Sequence, residues 1–150
     1  MILSVPHYVQ EEETSCYPAS CRMVLAFIGI EWSEATLRQI LRIEERGTPI
    51  DNIDFLESEE NLKIIKDNMT LCNLKQYLDQ GIPVIVSLWT EPLPYWHKDS
   101  AHAVVVVGYE GESLLVNDPK YPDAPQNVTQ DAFMEAWEMF EYFGVVIQKE

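Results

Sequence analysis

Residues 102–119 read His102-Ala-Val-Val-Val-Val-Gly-Tyr109-Glu-Gly111-Glu-Ser113-Leu-Leu-Val-Asn117-Asp118-Pro119, and this stretch decides the fold class. A β-branched run is followed by a tight Glu-Gly-Glu turn. A second apolar run then returns and stops at Asp-Pro, a turn signal. The pattern is an antiparallel hairpin, not half of a βαβ unit. Upstream, Pro83–Trp89 (PVIVSLW) reads as another buried strand, bounded by Gly81-Ile82-Pro83 and by the Pro- and aromatic-rich loop 90–100. Downstream, Thr129 caps a helix carrying Phe133, Trp137 and Phe140, and Gly144–Gln148 makes a last strand.

The N-terminal half has a different period. After an extended lead-in over residues 4–9, a helix begins near Cys16 or Tyr17. Pro18 sits in its first turn, where a missing N–H costs nothing, and Gly29 stops the helix. The helix is apolar nearly all round, which places it in the interior. Ser33 caps a second helix expected through Ile43, residues 51–61 make a third, Leu62–Lys66 a short strand, and Thr70 caps a fourth helix ending at Gly81. The expectation is an α+β fold in one domain over residues 1–150: a helical N-terminal half packed on a C-terminal antiparallel sheet.

The chain carries 25 acidic against 10 basic residues, a net charge of −15, so neither nucleic acid nor an anionic membrane leaflet is an expected partner. The longest apolar runs, near Ile82–Trp89 and Ala101–Tyr109, are too short to span a bilayer. The N-terminus lacks the basic and apolar regions of a secretory signal, which points to a cytoplasmic protein. Cys16, Cys21 and Cys72 are odd in number, form no CxxC and have no His at zinc spacing. Neither a disulfide scaffold nor a metal site is expected.

Cys16 falls where a helix begins. Backbone N–H groups and the helix dipole there favour negative charge on sulfur, the reactive form of a thiol. Cys21 and Cys72 lie within helices and read as packing residues. His102, at the mouth of an apolar strand, is a rigidly held ring, unlike His7 in the lead-in or His97 in a loop. The hairpin brings its two outer ends together, so Asp118 should lie beside His102 and orient the imidazole. Asn117 is the rival, but alternation turns it to the opposite face. Gln10, six residues before Cys16, is a candidate oxyanion donor together with the Cys16 N–H. Tyr17, Trp96 and Trp89 are candidates for contact with substrate; the loop Pro92-Leu-Pro-Tyr-Trp96 reads either as a substrate rim or as a packed Ω-loop.

Val5-Pro-His-Tyr-Val-Gln10, Ser15-Cys16-Tyr-Pro-Ala-Ser, Gly81-Ile-Pro-Val-Ile-Val, and His102-Ala-Val-Val-Val-Val-Gly-Tyr with Val116-Asn-Asp118-Pro occur in that order. Together they resemble the bacteriocin-processing peptidase family and its C39-like relatives, papain-like bacterial enzymes that cut double-glycine leader peptides. The resemblance spans nearly the whole chain. It implies a papain-like fold with Cys16 as nucleophile, His102 as general base, Asp118 as orienting carboxylate and Gln10 as oxyanion donor. It also implies a peptide or protein substrate and no cofactor. The family usually has Asp-Cys-Gly-Pro where this chain has Ser15-Cys16-Tyr17-Pro18, so double-glycine specificity is not implied with the rest. The same groups serve deamidation or transamidation, and a non-cleaving peptide-binding module is the alternative outside enzymes.

Overall fold

Strand alternation and helix caps assemble as follows in the computed structural model, which describes residues 1–45 and 47–150. The order is α1 (Cys16–Phe27), α2 (Glu34–Ile40), a 3-10 helix (Ile50–Ser58), β1 (Leu62–Asn68), α3 (Leu71–Asp79), β2 (Val84–Trp89), β3 (Ala101–Glu110), β4 (Ser113–Asn117), β5 (Gln126–Thr129), α4 (Gln130–Glu138) and β6 (Phe143–Lys149). Six strands form one sheet in the order β1-β6-β2-β3-β4-β5, and every pairing is antiparallel.

β2 and β3 are buried on both faces, which is why their sequences run apolar without alternation. Ile85, Ala103, Val105, Val107, Leu115, Val145 and Ile147 form one core with α1, α2 and the 3-10 helix. Val84, Val86, Leu88, Val104, Val106, Val116 and Val146 form the other with α3 and α4. The result is a mixed helix and antiparallel-sheet fold with α1 lying on β3. No described helix is long and apolar enough to cross a membrane.

Helix ends follow their local chemistry. Ser33 Oγ accepts from Thr36 N–H at the start of α2, and Thr70 with Asn73 forms a reciprocal capping box at α3. Three boundaries differ from expectation. α2 stops at Ile40, because Arg42 adopts φ 54° and the Ile43 N–H turns back to the Arg38 carbonyl. The segment near 51–61 is a 3-10 helix over Ile50–Ser58. Phe140 lies beyond α4, in a turn where Glu141 and Tyr142 both take positive φ. The short β5 on the outer edge of β4 was not expected. It is four residues long, follows Pro122 and Pro125, and has too few alternating positions to be read locally.

The register of β3 against β4 shifts between Val106 and Gly108, a bulge at the point where the chain's first residues join the sheet. Ile2 bridges to Gly108, Leu3 N–H donates to the Val107 carbonyl (2.8 Å) and Tyr109 N–H to that of Met1 (3.1 Å). A Cβ at Gly108 would overlap the Met1 carbonyl oxygen and stand 2.9 Å from the Ile2 Cα. These are backbone atoms and cannot rotate away. Gly108→Ala is therefore expected to detach residues 1–3, to destabilise the fold by about 1–3 kcal/mol, and to speed amide exchange at Leu3 and Tyr109. Melting curves and hydrogen exchange would check this, and protected Leu3 in the variant would refute it.

Candidate functional site

Three segments build the site. α1 presents Cys16 from its first turn, β3 presents His102 near its start, and the chain leaving β4 presents Asp118. Cys16 is half-buried, whereas His102 and Asp118 are buried. His102 Nε2 bonds to Asp118 Oδ1 at 2.7 Å. Cys16 lines the same cleft as His102, and its thiol acts on the charge of that ring. With Nε2 on the carboxylate, Nδ1 is the ring nitrogen left for another partner. Burial alone would push the His102 pKa down. The bond to Asp118, the influence of the Cys16 thiol and the carboxylate charge outweigh it and hold the pKa up at about 9.

Asp118 is the most heavily bonded group in the site. Burial works against its charge, but donors more than compensate and hold it below the ordinary carboxylate value. Oδ1 accepts from His102 and from the Lys120 N–H (2.9 Å). Oδ2 accepts from the Tyr95 hydroxyl (2.8 Å) and from Trp96 Nε1 (2.8 Å). The Trp96 ring also packs edge-on against His102 at 4.6 Å between centroids. Tyr95 and Trp96 arrive on the 90–100 loop, which buried Thr90 clasps. Its Oγ1 donates to the Lys98 carbonyl (2.6 Å) and accepts from the Ser100 N–H (2.8 Å).

The loop before Cys16 is held from two sides. Both oxygens of buried Glu34 accept from the Glu11 N–H (3.0 and 3.2 Å). Burial raises the Glu34 pKa, and Arg38 lies beside it at 3.6 Å while pairing with Glu11 and Glu12. On the other side the lead-in is stitched to the segment carrying Asp118. Gln10 N–H donates to the Pro119 carbonyl (2.7 Å), Asn117 Nδ2 to the Val5 carbonyl (3.2 Å), and His7 Nε2 bonds to the Asp118 carbonyl (2.8 Å). Asn117 is therefore tied to the lead-in, on the face away from His102.

The sequence candidates divide accordingly. Cys16, His102 and Asp118 come together. Gln10, Tyr17, Trp96, Cys16 and His102 line one cleft of about 350 Å³. Gln10 is in place but engaged: Nε2 donates to the carbonyls of Glu12 (2.8 Å) and Glu13 (3.0 Å), and Oε1 is buried without a partner among the described residues. Ser15 bonds to Glu12 instead of capping α1. Neither the Cys16 nor the Tyr17 N–H finds an acceptor among the described residues, so both are available to an anion. The Tyr17 ring joins the core beneath α1, with burial pushing its hydroxyl pKa up, and Cys16 is left half-open to the cleft. Trp89, at the end of β2 opposite Ala101, is outside the cleft lining. Sequence reasoning named Tyr95 only as part of a possible substrate rim and did not single out Glu34, Thr48, Ile50 or Phe140 for the site. Only the Glu34/Arg38 spacing on α2 offered a local signal.

A family model described as the Peptidase_C39 like family matches residues 2–145. The chain belongs to this family. Among solved structures it is similar to the peptidase domain of Streptococcus ComA, a bifunctional transporter of a quorum-sensing pathway. That match has 20% identity and a TM-score of 0.78, covering 96% of this chain and 98% of the other. It is also similar to a double-glycine-motif protease from an AMS/PCAT transporter, crystallised with its leader peptide (19%, TM-score 0.78, covering 99% and 94%). A Bacillus anthracis protein described as a C39-like peptidase matches at 16% with a TM-score of 0.77, covering 99% and 98%. These likenesses establish the papain-like fold of the C39 peptidase domains. No curated protein matches the chain in sequence.

The Tyr95–Asp118 bond has a consequence for acid stability. Because the folded pKa of Asp118 is depressed, its stabilisation is present above the unfolded carboxyl value of roughly 4 and is lost as pH falls through the lower folded value. Removing one donor raises that folded value. Tyr95→Phe is expected to cost about 1.5 kcal/mol near neutrality and to shift acid unfolding to higher pH. Denaturant midpoints between roughly pH 3 and pH 7 would show it, and an unchanged acid limb would refute it.

Proposed function

We propose that the protein is a cysteine peptidase that cuts a peptide chain lying in the cleft over Cys16. One observation carries this reading. A buried imidazole is bonded to a carboxylate through one nitrogen and lines a cleft together with a half-exposed, helix-terminal thiol. The leader peptide bound to the similar transporter protease supports a peptide as substrate.

In this mechanism the proton of Cys16 Sγ rests on the His102 ring, which is charged below about pH 9, and the sulfur attacks the peptide carbonyl carbon. Negative charge develops on the carbonyl oxygen beside the Cys16 and Tyr17 N–H groups at the uncapped start of α1. Gln10 Nε2 joins them once one of its protons leaves the Glu12 or Glu13 carbonyl. The imidazolium gives its proton to the departing nitrogen as the C–N bond breaks, leaving a thioester on Cys16. Water, deprotonated by His102, attacks the thioester, and the acid and the free thiol are released. Asp118 holds the ring in register throughout and stabilises its charged form. Trp96 covers the bond between them. If an amine replaces water in the last step, the same machinery performs transamidation. A half-exposed Cys16 that lines the cleft with His102 favours cleavage over binding alone.

His102 is charged below its pKa of about 9 and loses its proton above it. The alkaline limb of the rate is therefore expected near pH 9. Asp118→Asn removes the carboxylate charge that raises the pKa, leaves burial to dominate, and should move the limb down by about one to two pH units while lowering the rate at least about a hundredfold. Alkylation of Cys16 by iodoacetamide against pH, followed by cleavage of a peptide library, would check both. A Cys16 whose reactivity is the same in wild type and in His102→Ala would overturn the assignment.

A further inference from the structure

The cleft reverses the sign of the protein around it. The chain carries a net charge of −15, yet among the described residues the charged side chains lining the cleft are Lys98, Lys120 and His102, the last paired with Asp118, against Glu13. Arg22, Arg38 and Lys66, by contrast, are paired with carboxylates. Lys98 and Lys120 are exposed, and neither comes within 4 Å of a carboxylate among the described residues. Both are carried on backbone that is held still. The Lys98 carbonyl accepts from Thr90 Oγ1, and the Lys120 N–H donates to Asp118.

The two lysines also share a flank. Lys98 lies two residues from Trp96 and Lys120 two residues from Asp118, so both stand on the His102 side of the cleft. Glu13 is carried on the loop leading to Cys16. In acyl transfer the leaving nitrogen takes its proton from the imidazole and so departs on the His102 flank. A long-range field of excess negative charge repels anionic peptides. Two cations at the cleft mouth reverse that locally, for a carboxylate presented in one orientation.

We infer that the preferred substrate is a peptide bearing a carboxylate on its leaving half, an acidic side chain or a nearby chain terminus, received by Lys98 and Lys120. The inference rests on the acyl-transfer reading above and names the charge class of its substrate. The lysines do not touch the reacting atoms. They set specificity through attraction that is weak at each exposed site and falls with salt.

The test compares two alkylating reagents of similar size on Cys16 of the full chain: iodoacetate, which carries a carboxylate, and iodoacetamide, which does not. The ratio of their rate constants is read within each variant, so that changes in intrinsic reactivity cancel. Lys98→Gln or Lys120→Gln is expected to lower the iodoacetate preference about threefold, and the double variant about tenfold. Raising salt from about 20 mM to about 500 mM shrinks the screening length from roughly 20 Å to roughly 4 Å and should lower the wild-type ratio similarly. The Lys98→Glu/Lys120→Glu variant should instead favour the cationic reagent bromoethylamine. A ratio unchanged in the double glutamine variant, with Cys16 still labelled, overturns the inference and leaves the peptidase reading standing. A Cys16 that neither reagent labels in wild type overturns that reading and the inference with it. A library in which Asp or Glu on the leaving side gives no gain over Asn or Gln also overturns the inference.

Discussion

A carboxylate buried away from water is costly unless donors surround it, and the structure is arranged about one such group, Asp118. Its two oxygens take four donors from three places: His102 on β3, Tyr95 and Trp96 on the 90–100 loop, and the Lys120 N–H just beyond its own position. Each donor constrains the segment that bears it. The loop must fold back over the sheet end, β3 and β4 must hold their register, and the chain after β4 must turn at Pro119. The raised His102 pKa is the same interaction seen from the other side, since the charge that the donors stabilise on Asp118 is the charge that holds the proton on the ring.

The second requirement is that α1 meet this pair, and α1 comes from the other end of the chain. Hydrophobic packing of Met23, Leu25 and Tyr17 against Val105 and Val107 brings the helix onto the sheet but does not fix the sulfur to a fraction of an ångström. The lead-in supplies the finer placement. Residues 5–10 bond along 117–119, and Glu34 with Arg38 grips the loop at 11 and 12. Cys16 and His102, more than eighty residues apart, are thus held by short-range bonds at both ends of the connecting loop. The uncapped first turn of α1 follows from the same arrangement, because the Ser15 hydroxyl is bonded to Glu12 and the N–H groups of residues 16 and 17 are left without an acceptor among the described residues.

Much of this was legible in particular residues. The β-branched run after His102, the Glu-Gly-Glu turn and the stop at Asp118-Pro119 are local signals, and a hairpin joins its outer ends by construction, so the proximity of His102 and Asp118 follows from the order of residues alone. Ser33, Thr70 and Thr129 announced their helices because a cap is a bond between residues three apart. The far side of Asp118 was not legible. Nothing in Tyr95-Trp96 says which acceptor a twenty-residue separation will deliver, and the aromatic loop read equally well as an open rim. Phe140 continues the helical spacing of Phe133 and Trp137, yet α4 ends at Glu138 and Phe140 lies in the following turn, ahead of two residues at positive φ, where it lines the cleft. Gln10 stood at a suitable spacing from Cys16, but its amide protons are taken by the nearer carbonyls of Glu12 and Glu13.

The sequence alone determined the α+β class, the hairpin, the capped helices and the placing of a cysteine at a helix start, because each depends on periodicity or on bonds between near neighbours. Tertiary structure alone decided that α1 and the hairpin share a cleft, that an acidic chain lines it with lysines, and that Tyr95 and Trp96 complete the shell of Asp118. Those outcomes depend on which distant surfaces pack together, and that is set by the joint burial of two cores on a single sheet.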